Sequence, residues 1–182
     1  MPFIQYPTEI LGIPIETDYT FWLRYVARIL DSREITDQEK IDFVVRNVFG
    51  KDAHRRENAP ELFLGCLDFY HCGKDADRFP RAEEVQLHWE NDGLAILGDF
   101  FVYARIDLDD GEPMHWWKFH AIFESLPSES RIKSLMQIRG IDPSDYKGDA
   151  KGRAKMAEHK RMAAVWLPDD DYEPEFMSRE VE

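Results

Sequence analysis

Cysteine is scarce in this chain of 182 residues: Cys66 and Cys72 are the only two. They lie six positions apart on a predicted helix, on different faces, and cannot bridge without unwinding it. Reduced thiols in a cytosolic protein are therefore expected. Basic residues are outnumbered, with 23 Lys and Arg against 36 Asp and Glu and a formal net charge of −13. Phosphate attraction needs local positive charge, so neither nucleic acid nor an anionic membrane surface is an expected partner. No apolar run reaches membrane-spanning length. The opening MPFIQYPTEI has neither the basic region nor the long apolar core of a secretory signal. The expectation is a soluble, intracellular protein. Also missing are a phosphate-binding glycine loop, a nucleophile elbow and any spacing that suggests a Ser–His–Asp set. No internal repeat is visible, and strand signals are almost absent.

What remains is helix. Apolar residues make up 43% of the chain and aromatics 13%, enough for a globular core. A single domain of this size buries roughly 70% of its unfolded surface. Residues 1–16, with Pro2, Pro7 and Pro14, read as an extended arm that packs on its own chain or on a partner, the first being preferred. Residues 17–167 read as one helical domain, with a possible subdivision near 74–82. Thr17 is placed to cap a first helix whose face is Trp22, Tyr25, Val26, Ile29 and Leu30. Thr36 and Glu39 form a capping box that opens a second helix ending at Gly50. Pro60 suits the first turn of a third helix that ends at Gly73.

Val85, Leu87 and Trp89 alternate with polar residues and suggest a short extended stretch, though a helical reading stays open. Asp92 is placed to cap the next helix, with Leu94, Leu97, Phe100, Phe101 and Ala104 as its apolar positions. Asp107–Glu112 is an acidic turn. Asp149 caps a last helix, Ala150–Trp166, with a continuous basic face. Lys147–Arg161 carries six basic and two acidic residues. Asp169–Glu182 carries seven acidic residues and one arginine, too few apolar groups to pack, and is expected to be disordered. The basic helix face reads as solvated, screened by this tail or set against an acidic partner, and the solvated and tail-screened readings together outweigh nucleic-acid contact. The whole is an all-α compact bundle of six or seven helices arranged as helical hairpins.

The densest apolar stretch is Met114–Gly140, MHWWKFHAIFESLPSESRIKSLMQIRG. Its first arm spans Pro113–Leu126, with Trp116, Phe119, Ile122, Phe123 and Leu126 as one stripe. Pro127 stops it, Ser128 restarts the chain as an N-cap, and Gly140 offers a left-handed C-cap. The short link makes the two arms antiparallel neighbours. Trp116 and Trp117 are adjacent, so one stripe cannot bury both. One faces the core; the other either lies buried between helices or anchors a partner, since tryptophan is enriched at binding hot spots. Trp116, Trp117, Lys118, His120 and Arg139 are the candidate protein interface, with a solvated face as the plain reading of Lys118.

Other constellations carry little chemistry. Cys66, Asp68, His71 and Cys72 sit on one predicted helix without a second ligand pair. His115 and His120 are five apart and do not share a helix face. His88, Glu90 and Asp92 suit a helix N-terminus better than a cation. No catalytic, cofactor or metal residue is assigned, and the chain is not expected to be an enzyme.

MHWWKFHAIFESLP, followed by a helix ending in IR, resembles the phage gene product fifteen family. So do NDGLAILGDFFVYARIDL (Asn91–Leu108) and DYTFWLRYVARILDSREITDQEKI (Asp18–Ile41), and the similarity spans about residues 15–166. Proteins of this kind are encoded in long-tailed phages and prophages, near the tape-measure gene. The resemblance implies a tail-assembly chaperone of the host cytoplasm, with the tape-measure protein and tail tube protein as partners and self-association as a further expectation. The alternative it leaves open is a structural virion component of the tail or head–tail connector. No catalytic motif comes with it.

Overall fold

The computed structural model describes residues 5–32, 34–74, 86–142 and 150–164. The polar connection, Val85, the Asp149 cap, Trp166 and the acidic tail lie outside them. Within them the chain is helical. A two-stranded hairpin, β1 (Glu9–Ile10) with β2 (Ile13–Pro14), is its one sheet among the described residues. Leu11 and Gly12, at φ 51° and 76°, make the tight turn between these strands. The N-terminal segment thus folds back on itself instead of running extended. It packs in cis: Ile10 is buried against Gly65.

The first helix is one rod in three parts, α1 (Tyr19–Trp22), a π-turn (Leu23–Ala27) and α2 (Arg28–Asp31). Asp18 caps it, not Thr17. The Asp18 carboxylate accepts from Thr20 N at 2.9 Å, while the Thr17 carbonyl is occupied by Trp116 N at 2.7 Å. Helix α3 (Asp37–Phe49) opens on the Thr36–Glu39 capping box and stops at Gly50, whose φ is 100°. Helix α4 (Ala59–Tyr70) carries Pro60 in its first turn and ends three residues before Gly73. Cys66 lies within it and Cys72 in the turn beyond, both free. Burial pushes each thiol up to about 12, so neither is a reactive thiolate at neutral pH.

Residues 86–92 form no strand; Trp89 sits in a turn. Helix α5 (Gly93–Asp99) follows and runs into a second π-turn (Phe100–Ala104), closed by Arg105 in the left-handed region. The expected apolar stripe of this helix is out of phase. Ala95, Ile96, Asp99 and Phe100 face inward, whereas Leu94 is 86% and Phe101 57% exposed. Two buried carboxylates, Asp92 and Asp99, set the inner face, and a hydrophobic periodicity cannot register them.

Helix α6 (Trp116–Ser125) starts later than Pro113 suggests. The residues before it pair with those before α1: Tyr19 N donates to Met114 O at 2.8 Å, around an isolated antiparallel bridge between Asp18 and His115. Met114 N donates to the second Asp18 oxygen at 2.9 Å. Extended pairing therefore holds the chain out of the helix until His115, whose Nδ1 accepts from Trp117 N at 3.0 Å. The Trp116, Phe119, Phe123 and Leu126 stripe is buried as expected.

Helix α7 (Arg131–Gly140) is capped by Ser130, not Ser128, because Ser130 N closes a turn onto Pro127 O. Gly140 is the last helical residue and has no positive φ. Its missing side chain admits Gln86, since a Cβ there would lie 3.1 Å from Gln86 Nε2. Helix α7 makes its main contacts with α5 and with α8 (Ala150–Ala163), not with α6. Counting the first rod as one, seven α-helices among the described residues surround a core centred on Trp22, Phe69, Phe100, Trp116, Phe119 and Ile132.

Candidate partner-binding site

Four of the five residues singled out by sequence share α6, yet they do not form one exposed face. Trp116 is fully buried. Its ring lies 5.3 Å from Tyr70, nearly parallel, and its indole N–H donates to Tyr70 O at 2.8 Å. The next residue, rotated about 100° on the helix, reaches the same helix end. Trp117 Nε1 donates to Phe69 O at 2.9 Å. Two adjacent indoles thus reach the last two carbonyls of α4, and Phe69 O also accepts from Cys72 N at 3.0 Å. Trp117 is half-buried and lies over Gly73, where a Cβ would sit 3.4 Å from its ring. Its polar atom is already engaged within the chain.

His120 is half-buried, edge-on to Trp116 at 5.7 Å. Its Nδ1 lies 3.5 Å from Glu124, which also pairs with Lys74. Burial holds the imidazole below its usual value, more than Glu124 raises it. A neutral His120 fits this setting.

Arg139 belongs to a different cluster. It is 6% exposed and bonded on three sides. Two parallel bonds join it to Asp92, Nη1 to Oδ2 at 2.6 Å and Nη2 to Oδ1 at 2.7 Å. Nη1 also donates to Gln86 O at 2.9 Å, and Nε to Ala163 O at 2.5 Å. Asp92 therefore stands at the N-cap position of α5 without bonding its own helix. At the other end of α5, Asp99 accepts from Arg131 N and Ile132 N, at 3.1 and 2.8 Å. The two carboxylates, one at each end of α5, hold both ends of α7, which must run antiparallel to it. Arg139 also ties the C-terminal carbonyl of α8 into this clamp, where a cation suits the helix dipole.

Lys118 is exposed and borders an open groove of about 450 Å³. One wall is α6, through Lys118, Ala121, Ile122 and Ser125. The facing wall is the π-turn, through Tyr103 and Ala104, with Tyr6 and the Leu126–Pro127 corner completing it. Beside it Phe101, Val102 and Tyr103 are 57%, 53% and 44% exposed. Sequence reasoning missed this groove. The helical spacing of Lys118, Ala121, Ile122 and Ser125 was the available signal, but nothing in the sequence placed Tyr6 and Tyr103 beside it.

Among the described residues no group of three His, Cys, Asp or Glu side chains is placed to hold a metal ion. No helix among them is long and apolar enough to cross a membrane.

The profile of the Bacteriophage Gp15 protein family matches residues 6–165. The chain belongs to that family. No curated protein and no solved structure matches this Gp15-family chain. The matched span takes in every described element, from the N-terminal hairpin to α8.

Proposed function

We propose that this Gp15-family protein is a non-enzymatic tail assembly chaperone that binds the tape-measure protein, and tail tube subunits with it, in the host cytoplasm. The family ties the chain to bacteriophages. The observation that carries the finer reading is the open groove on α6, flanked by large apolar side chains left in water. A folded domain keeps such a surface for a partner more often than for itself. A long helical protein with apolar stripes fits it by helix-in-groove contact. The net charge of −13 would keep a complex dispersed while tube subunits wait to polymerise.

The test is co-expression with the tape-measure protein of the same phage. The expected result is a soluble complex from which both chains co-purify, against an aggregated tape measure when it is expressed alone. A tape measure equally soluble with and without this chain, and no co-purification, overturns the proposal. Detection of the chain as a stoichiometric part of finished particles would favour a structural tail or connector component.

A further inference from the structure

We infer that the groove beside Lys118, not the tryptophan pair, is the docking site, and that its occupant is a partner helix with an apolar stripe and a carboxylate placed to meet Lys118. The inference rests on the chaperone reading and gives it a surface. The tryptophans are committed elsewhere: Trp116 is buried, and both indole N–H groups are taken by the end of α4. Arg139 is enclosed by Asp92, Gln86 and Ala163. Lys118 is the remaining charged candidate, and among the described residues it makes no ion pair or hydrogen bond. It is the one charged side chain of the groove, whose other members are apolar apart from Ser125 and the tyrosine hydroxyls.

The geometry defines the occupant. Lys118, Ala121, Ile122 and Ser125 climb one face of α6 over two turns, about 10 Å. A helix of two to three turns matches that length. Its acidic residue would lie one to two turns from the apolar residues that meet Ile122 and Tyr103. The facing wall exists because the π-turn inserts an extra residue into the helical repeat, which rotates Phe101–Tyr103 outward. Such insertions recur at functional sites. Tyr6 and Tyr103 supply rigid rings at low entropic cost, as binding surfaces favour. Charge complementarity selects the partner: a lone cation in an apolar wall attracts an acidic amphipathic helix and rejects a basic one.

The experiment compares binding of the co-expressed tape-measure protein, and of its overlapping peptides, to the intact chain and three variants. Lys118→Glu reverses the cation. Ala121→Arg fills the groove from an exposed helical position that keeps its helix propensity. Leu64→Asp changes an equally exposed apolar residue on α4, away from the groove. Thermal melts of all three establish folding. The expected result is at least tenfold weaker binding for Lys118→Glu and Ala121→Arg, with Leu64→Asp unchanged, and a bound peptide that carries an acidic residue. If the wild type binds and the groove variants bind equally well, the docking site is wrong while the chaperone reading stands. If the wild type does not bind the tape measure at all, both fall.

Discussion

Asp92 and Arg139, 47 residues apart, meet as a buried bidentate ion pair. The pair joins the start of α5 to the end of α7, and the same guanidinium reaches the last carbonyl of α8. Removing one partner leaves the other charge buried and unmatched, at a cost of roughly 3–5 kcal/mol. We expect Arg139→Leu and Asp92→Leu each to lower the free energy of unfolding by that amount, and the double variant to recover much of it. Chemical denaturation of the three proteins checks this. Equal losses that simply add would show that the two residues do not act as a unit.

Beside the Ser130 cap, Asp99 accepts the first two N–H groups of a helix that begins 32 residues later. Asp99→Ala is expected to cost about 1–2 kcal/mol, in the range of a lost cap with some burial. Hydrogen exchange should show the first turn of α7 opening before the rest of the helix. Uniform exchange across α7 would contradict this role.

The paired indoles make a separable prediction. Trp117→Phe retains a ring over Gly73 but removes the donor to Phe69 O. It should destabilise by about 1 kcal/mol. Trp116→Ala empties a fully buried position and should cost about 3–5 kcal/mol. Calorimetry on both, with near-ultraviolet circular dichroism to follow the aromatic cluster, tests the difference.

Ile10 seats the N-terminal hairpin on α4 because Gly65 has no side chain. A Cβ at Gly65 would fall well inside contact distance of Ile10 Cγ2, a branched atom with little room to yield. Gly65→Ala is expected to destabilise by about 1–3 kcal/mol and to speed proteolysis within residues 5–16. A variant with unchanged cleavage would mean the hairpin contributes nothing to the fold.

Two groups give opposite pH trends. Desolvation raises the Asp31 carboxyl to about 6, against the opposing charges of His88 and Lys40. The folded chain therefore holds a proton there more tightly than the unfolded chain, so this group's stabilisation is complete below about pH 4 and is lost as pH rises through 6. Asp31→Asn should stabilise the protein at pH 7.5, by about 1 kcal/mol after solvent screening, and change little at pH 4. Desolvation lowers the half-buried His120 and His71 instead. Their contribution is present above about pH 6.5 and disappears in acid. Melting temperatures of wild type and Asp31→Asn from pH 4 to 8 separate the two.

Helix positions were readable wherever local chemistry sets them. The Thr36–Glu39 box, Gly50, Pro60 and the Trp116–Phe119–Phe123 stripe depend on near neighbours in sequence, and each stands where it was expected. The misreadings around α5 and Arg139 share one cause. Asp92, Asp99 and Arg139 are polar residues turned inward by partners far along the chain, and a periodicity reading sends them to solvent. The phase of α5 followed that error. The late start of α6 depends on backbone pairing between residues 17–19 and 114–116, which no local pattern announces. Four of the five candidate interface residues share α6, but the groove that Lys118 borders needs a π-turn and an N-terminal tyrosine to complete it.

The central claim is assembly without incorporation. The most direct measurement is quantitative mass spectrometry of this chain in two samples from one infected culture: tape-measure complexes isolated before tube polymerisation, and purified finished particles. The chain is expected in the first and absent from the second. A fixed number of copies in the finished particles, with none on the free tape measure, would contradict it.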